Sequence, residues 1–245
     1  MQRIYLFDVD GTLTPPRQRI DEDFAAIFLE WQQYVGAPVY LVTGSNLKAI
    51  KKQIFDEFLQ ACDGVFTCSG NELWQGKDLI YRRKFRAPSG LLADLKLYLS
   101  TGARYHVRAG RHIERRPGMI NFSVLGRNAN LLQREAYTKW DKNAGEREDI
   151  VDYVTHLYPM LDVAIGGAIS VDIYPKGKDK SQVISRLQEK YGEPLSFVFV
   201  GDKNIPGGND WPLAQELEKD PNSQWFQVYS YEETRALIEY SELFI

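Results

Sequence analysis

The chain has 245 residues, 44% of them hydrophobic and 26% charged, with a formal net charge of -3. That length supports one large domain or two modest ones, and the slight acidity argues against a nucleic-acid platform, so an anionic ligand must be held by local basic clusters. No apolar run approaches the ~20 residues needed to cross a bilayer, no apolar leader opens the chain, and Cys62 and Cys68 are too few for a disulfide framework or a structural zinc site, so the expectation is a cytoplasmic protein without membrane or nucleic-acid partners.

Ile4–Phe7 is a short run of strand formers followed at once by Asp-Gly turn chemistry. Residues 21–34 place Phe24, Ile27, Phe28 and Trp31 at helical spacing, with acids in the first turn. Val39–Val42 reads as a second buried strand, Leu47–Phe58 as one helix and Gly64–Thr67 as another strand. This alternation predicts a parallel sheet covered on both faces, an α/β, Rossmann-like core. After about residue 85 the texture changes. His112–Arg116 and Met119–Leu125 flank a Pro117-Gly118 turn, a helix is expected near 144–157, and strands Leu161–Ile165 and Ser170–Tyr174 flank Gly166-Gly167. Mixed helical and antiparallel segments predict an inserted α+β module. The α/β texture resumes with helix Lys180–Tyr191, strand Ser196–Val200, loop 201–210, a helix from Pro212, strand Trp225–Val228 and helix Glu232–Ser241. The expected division is 1–85 and 177–245 for the core and 86–176 for the inserted module.

Asp8-Val9-Asp10-Gly11-Thr12 directly follows the first apolar strand. Ligands of parallel α/β sheets bind beyond the carboxyl ends of the strands, so both carboxylates fall at the site mouth. Two crowded acids need a counter-charge, and Mg²⁺ is the natural hard partner for oxygen ligands. A plain Asp-Gly turn explains one acid but not two. The loop Gly201–Asp210 follows another apolar strand and adds Asp202, Asn209 and Asp210, although alone it also reads as a polar turn with a helix cap. Thr43-Gly44-Ser45 offers a hydroxyl and backbone amides to a phosphoryl oxygen, and singly reads as well as an ordinary N-cap. Lys180 opens a helix, where a cation is unfavourable, which suggests pairing with buried acids or phosphate; the alternative is a solvated charge.

In that order these features resemble the four motifs of the haloacid dehalogenase superfamily. The resemblance implies that Asp8 attacks phosphorus, that Asp10 is the general acid and base, and that Thr43 binds the phosphoryl group. It also implies that Lys180 orients Asp8, and that Mg²⁺ is held by Asp8, Asp10 through its carbonyl, and Asp202, with Asn209 and Asp210 beside them. The segments Asp8–Arg17, Gly118–Arg127, Gly166–Pro175 and Gly201–Asp210 resemble the α-phosphomannomutases of that superfamily. This closer resemblance implies Arg17, Arg116, Asn121, Arg127, Arg134, Ser170 and Asp172 as residues that bind the sugar and its distal phosphate. By themselves the arginines also read as a basic strand face, and Ser170–Asp172 as an alternating half-buried strand.

The activity implied is a phosphohexomutase interconverting mannose 6-phosphate and mannose 1-phosphate in GDP-mannose biosynthesis. A hexose 1,6-bisphosphate activator and a homodimer formed through the inserted cap are implied with it. A phosphosugar phosphatase on the same scaffold is the alternative, and a non-catalytic phosphosugar-binding regulator is a third reading that the paired acids Asp8 and Asp10 oppose. The chain differs from the usual family pattern at Pro117, at Ala168, over Cys68–Glu72 and at Thr43.

Overall fold

Strand β1 (Gln2–Phe7) is apolar on both sides. Ile4 and Leu6 enter one core cluster, Tyr5 and Phe7 another, as the two-residue period of a strand requires. The computed structural model describes residues 1–192, 194–241 and 244. The chain divides into two units, Met1–Arg82 with Asp179–Ile245, and Arg83–Lys178. The crossings thus follow Arg82 and Lys178, against 85/86 and 176/177 expected. After β1 the first unit continues with α1 (Glu22–Val35), β2 (Val39–Val42), α2 (Leu47–Ile50), α3 (Asp56–Ala61), β3 (Gly64–Thr67), β4 (Glu72–Gln75) and β5 (Asp78–Arg82). The second unit holds α4 (Leu91–Leu97), extended by a π-helical turn over Tyr98–Gly102, then β6 (Ile113–Arg116) and β7 (Met119–Phe122). Helices α5 (Leu131–Ala144) and α6 (Glu146–Leu157) and strands β8 (Leu161–Gly166) and β9 (Ser170–Pro175) complete it. The first unit resumes as α7 (Gln182–Tyr191), β10 (Leu195–Gly201), α8 (Trp211–Leu217), β11 (Gln224–Gln227) and α9 (Tyr231–Tyr240).

The first unit is built on a seven-stranded sheet of order β11-β10-β1-β2-β3-β4-β5. It is parallel from β11 to β3 and antiparallel over the hairpin β4–β5. In β2 and β10, as in β1, alternate residues feed the two clusters: Val39, Leu41, Val198 and Val200 join one, and Tyr40, Val42, Phe197 and Phe199 the other. One face is covered by α1 through Phe24, Phe28 and Trp31, the other by Val183 and Leu187 of α7 and Leu213 and Leu217 of α8. Asp21 caps α1 by accepting the Phe24 amide at 2.9 Å, and Gly36 ends it in the left-handed conformation, φ 59°.

The single helix expected over 47–58 is instead two short ones. Between them, the Gln53 side chain accepts the Thr14 hydroxyl at 3.0 Å and its carbonyl accepts the Ile20 amide at 2.9 Å. The loop after β1 thus takes Gln53 for its own hydrogen bonds, and a continued helix would surrender them.

The second unit is a four-stranded antiparallel sheet of order β6-β7-β9-β8 with helices on one face. Ile120, Phe122, Val171 and Ile173 pack against Leu95 of α4, Tyr137 of α5 and Ile150 and Val154 of α6. Alternation sends Glu114, Asn121, Asp172 and Ala164, which lie in register across the four strands, to the opposite face. Residues 131–144, unassigned from sequence, form α5, which opens on a reciprocal capping box between Asn130 and Gln133. Gly145, φ 66°, separates it from α6.

Phe28 is fully buried, with ring centroids 5.0 Å from Phe7, 5.3 Å from Trp31 and 4.8 Å from Phe58. Phe28→Ala is expected to cost about 3–5 kcal/mol of stability, measured as a fall in the urea midpoint at unchanged slope.

Candidate active site

The parallel strands β1, β2, β3 and β10 deliver their carboxyl ends to one rim of the first unit's sheet. The loop after β1 winds around the Val9 carbonyl, which accepts the amides of Thr12, Leu13 and Thr14 at 3.2, 3.0 and 3.1 Å. The buried side chains of Val9 and Leu13 pin it to the core. Gly11 has φ +90°, and a Cβ there would lie 2.6 Å from Asp202 Oδ2. Glycine alone lets this loop approach the loop after β10 so closely.

Lys180 is fully buried, and its Nζ donates to Asp8 Oδ1 at 2.6 Å and to Asp210 Oδ1 at 2.5 Å. Asp210 Oδ2 accepts the Lys203 amide at 3.0 Å, and Asp202 Oδ2 accepts Lys203 Nζ at 2.7 Å. Burial pushes the Asp8 carboxyl well above the usual carboxylate range; Lys180 opposes the shift, while Asp210 and Asp202 add to it. Burial works against the Lys180 charge, but Asp210 and Asp8 outweigh it and hold the ammonium above the ordinary lysine value. Burial, then the charge of Asp210, push Asp202 up to about 6 against the pull of Lys203. The rim therefore carries more buried negative charge than its lysines offset.

One carboxylate oxygen from each of Asp8, Asp202 and Asp210 lies within 4.8 Å of the other two. Asn209 Oδ1, next to Asp210 in sequence, is buried and accepts no hydrogen bond among the described residues. Hard oxygen donors with excess negative charge fit a divalent cation such as Mg²⁺.

Asp10 is half-buried. Its Oδ1 accepts the Arg17 amide at 2.9 Å and its Oδ2 the Ser45 hydroxyl at 3.2 Å. Arg17 sits at φ 62°, a conformation unusual for a side chain with Cβ. The Thr43 hydroxyl accepts the Ser45 amide at 3.1 Å, closing a tight turn across Gly44. The first unit therefore brings together Asp8, Asp10, Arg17, Thr43, Gly44, Ser45, Lys180, Asp202, Asn209 and Asp210.

The other anticipated residues belong to the second unit. Asn121 Nδ2 donates to Ser170 Oγ at 3.0 Å and to Asp172 Oδ1 at 2.6 Å. Arg116 Nη1 lies 3.8 Å from Asp172 Oδ1. Glu114 Oε2 accepts Arg116 Nε at 3.0 Å and Nη2 at 2.5 Å, and lies 3.4 Å from Arg127 Nε. Arg134, on α5, directs Nε to the Ala129 carbonyl at 2.9 Å and Nη2 to the Arg127 carbonyl at 3.1 Å, so it braces the loop that presents Arg127.

Sequence reasoning passed over Glu114, Lys203 and Gln227. Glu114 precedes Arg116 by two residues, the spacing that puts both on one face of a strand. Lys203 directly follows Asp202. Gln227, whose amide donates to the Asp202 carbonyl at 2.7 Å, comes from the neighbouring strand β11 and left no local signal.

The family model for eukaryotic phosphomannomutase matches residues 27–244. Human phosphomannomutase 1 is 33% identical over 238 residues, covering 94% of this chain and 88% of that protein. A phosphomannomutase of Dendrobium officinale is 32% identical over 219 residues, covering 86% of this chain and 84% of its own. Among solved structures, a sugar phosphatase of haloacid dehalogenase subclass IIB superposes with a TM-score of 0.60 at 15% identity, covering 100% of both chains. A Thermoplasma acidophilum protein gives 0.60 at 18% identity, covering 99% of both. The likeness to the sugar phosphatase gives this chain the haloacid dehalogenase fold, here a parallel-sheet core with an inserted α+β module.

Two outcomes are expected. Gly11→Ala should displace Asp202 and weaken Mg²⁺ binding by about tenfold or more, as read by calorimetric titration. Asp202 must ionise to hold a cation and titrates near 6 without one. Its deprotonation favours binding, so Mg²⁺ affinity should rise as pH climbs through about 6, with proton release on binding below that value.

Proposed function

The chain belongs to the eukaryotic phosphomannomutase family, and on that premise we propose that it interconverts mannose 6-phosphate and mannose 1-phosphate through phosphorylated Asp8 and a hexose 1,6-bisphosphate. The observation that carries the chemistry is the buried chain Asp8–Lys180–Asp210, beside Asp202 at the strand ends. Asp8 is raised toward the protonated form by burial, yet a nucleophile must be ionised. The Lys180 ammonium, fixed by Asp210, supplies a permanent counter-charge that favours the carboxylate.

The proposed cycle begins with Asp8 phosphorylated by a hexose 1,6-bisphosphate activator. Asp10 accepts the proton of the sugar's free hydroxyl as that oxygen attacks phosphorus and the bond to Asp8 breaks, giving a bisphosphate and free Asp8. The sugar turns over, Asp8 attacks the other phosphorus, and the departing sugar oxygen takes the proton back from Asp10. The hydrogen bonds from Arg17 and Ser45 hold the Asp10 carboxyl for both transfers. The Thr43 hydroxyl and the Gly44 amide are proposed to bind phosphoryl oxygens, with Ser45 holding Asp10 beside them.

Asp8, Asp202, the Asp10 carbonyl and Asn209 are the proposed holders of Mg²⁺, and Asp210 joins them at the same cluster while anchoring Lys180. A bound Mg²⁺ supplies charge to offset that on the phosphoryl oxygens. Arg116, Arg127, Arg134, Asn121, Ser170 and Asp172 are proposed to hold the sugar and the phosphate that is not reacting, since arginine forks match phosphate oxygens. A homodimer through the second unit, a cytoplasmic location and a role supplying GDP-mannose synthesis complete the proposal. Among the described residues no helix is long and apolar enough to cross a membrane.

The test is incubation with mannose 1-phosphate, Mg²⁺ and catalytic glucose 1,6-bisphosphate, following mannose 6-phosphate and free phosphate. Isomerisation without phosphate release is expected; release as the main product would replace the mutase with a phosphatase. Asp8→Asn should abolish turnover while leaving the circular-dichroism spectrum unchanged, and appreciable residual activity would remove Asp8 as the nucleophile.

A further inference from the structure

We propose that Glu114 is a positioning residue that both aims Arg116 and Arg127 and limits how tightly they grip phosphate. The inference rests on the mutase reading and concerns a carboxylate to which that reading gives no role.

Glu114 Oε2 accepts both Nε and Nη2 of Arg116, at 3.0 and 2.5 Å, and stands 3.4 Å from Arg127 Nε. Arg116 also lies 3.8 Å from Asp172. The side chains are withdrawn from water, 5% exposed for Arg116, 14% for Arg127, 20% for Glu114 and 3% for Asp172. In this group of four, two guanidiniums meet two carboxylates. A site built only to capture a phosphate dianion would leave the forks uncommitted; here Nε and Nη2 of Arg116 already donate to Glu114, and Nε of Arg127 faces the same oxygen.

Two consequences follow. The shared carboxylate holds both guanidiniums at a fixed separation, which removes rotamer freedom before a ligand arrives. It also sets a negative charge against the incoming phosphate, which lowers ground-state affinity in a partly dry site. A mutase needs both. Its bisphosphate must be oriented for each transfer yet freed to turn between them, and tight uniform binding of that species would raise the barrier to turning without lowering the chemical one.

The experiment compares wild type with Glu114→Gln and Glu114→Asp. Glutamine keeps an acceptor oxygen in place and removes the charge; aspartate keeps the charge on a shorter arm. Calorimetric binding of mannose 1-phosphate and of inorganic phosphate, both without Mg²⁺ or activator, is paired with kcat and KM in the full assay. Glu114→Gln is expected to tighten binding of both probes by about tenfold and to lower KM and kcat together, whereas Glu114→Asp should tighten neither. A side chain with only a structural role would raise KM in both variants. Unchanged or weaker binding by a folded Glu114→Gln, or equal tightening by Glu114→Asp, overturns the proposal. Tighter phosphate binding in Glu114→Gln without mannose phosphate turnover in wild type would uphold the Glu114 brake and sink the mutase reading.

Discussion

The first unit depends on one buried cation. Lys180 brings an ammonium into a fully buried position, where desolvation of the charge is tolerable only with close anionic partners. Asp8 and Asp210 are those partners, and they arrive from different parts of the chain: Asp8 from the end of β1, Asp210 from the start of α8. The pair of contacts therefore fixes the entrance to α7 against two strand-end loops at once. Asp210 is itself held by the Lys203 amide, so the lysine's anchor does not depend on the loop glycines alone. Packing and chemistry make the same demand here. The geometry that spares Lys180 an unpaired charge also favours ionised Asp8.

The fold was legible where physics is local. β1, β2 and β10 read as buried strands because both of their faces are apolar, and α1 announced itself through helical spacing and the acids of its first turn. The failures have particular causes. The break between α2 and α3 is imposed by Thr14 and Ile20, more than thirty residues upstream in the chain, which claim Gln53 for their hydrogen bonds. Strand β5 is almost wholly exposed, so it offers no alternation to detect. The capping box before α5 was present in the sequence as Asn130 and Gln133.

The candidate site shows the same division. Asp8, Asp10 and Asp202 were legible because each follows an apolar run at a turn, and Lys180 because a cation at a helix start needs a reason. Gln227 was not, since its role arises from β11 lying beside β10. Nor was the bracing role of Arg134, whose Nε and Nη2 donate to the main-chain carbonyls of Ala129 and Arg127. In the second unit the β8–β9 turn is held through its backbone: the Gly167 carbonyl accepts Arg147 Nη1 at 2.9 Å and the Ala168 carbonyl accepts the Thr138 hydroxyl at 3.0 Å. That support does not depend on the side chain at 168, which explains how alanine is accommodated there without disturbing Ser170 and Asp172.

The strand order has a consequence for how the chain reaches its native state. β1 is an interior strand, and one of its two neighbours, β10, comes from Leu195–Gly201. A nascent chain that has completed β1 to β5 has an apolar strand whose outer edge lacks its partner until the whole second unit has been made. Pairing across so long a stretch of sequence is slow, because loop-closure entropy is spent before the contacts form. An unprotected edge is also a template for other chains. Early folding of the second unit, whose contacts are internal, would shorten the effective loop that must close. The insertion that supplies the arginine cluster is thus also the longest delay in closing the sheet.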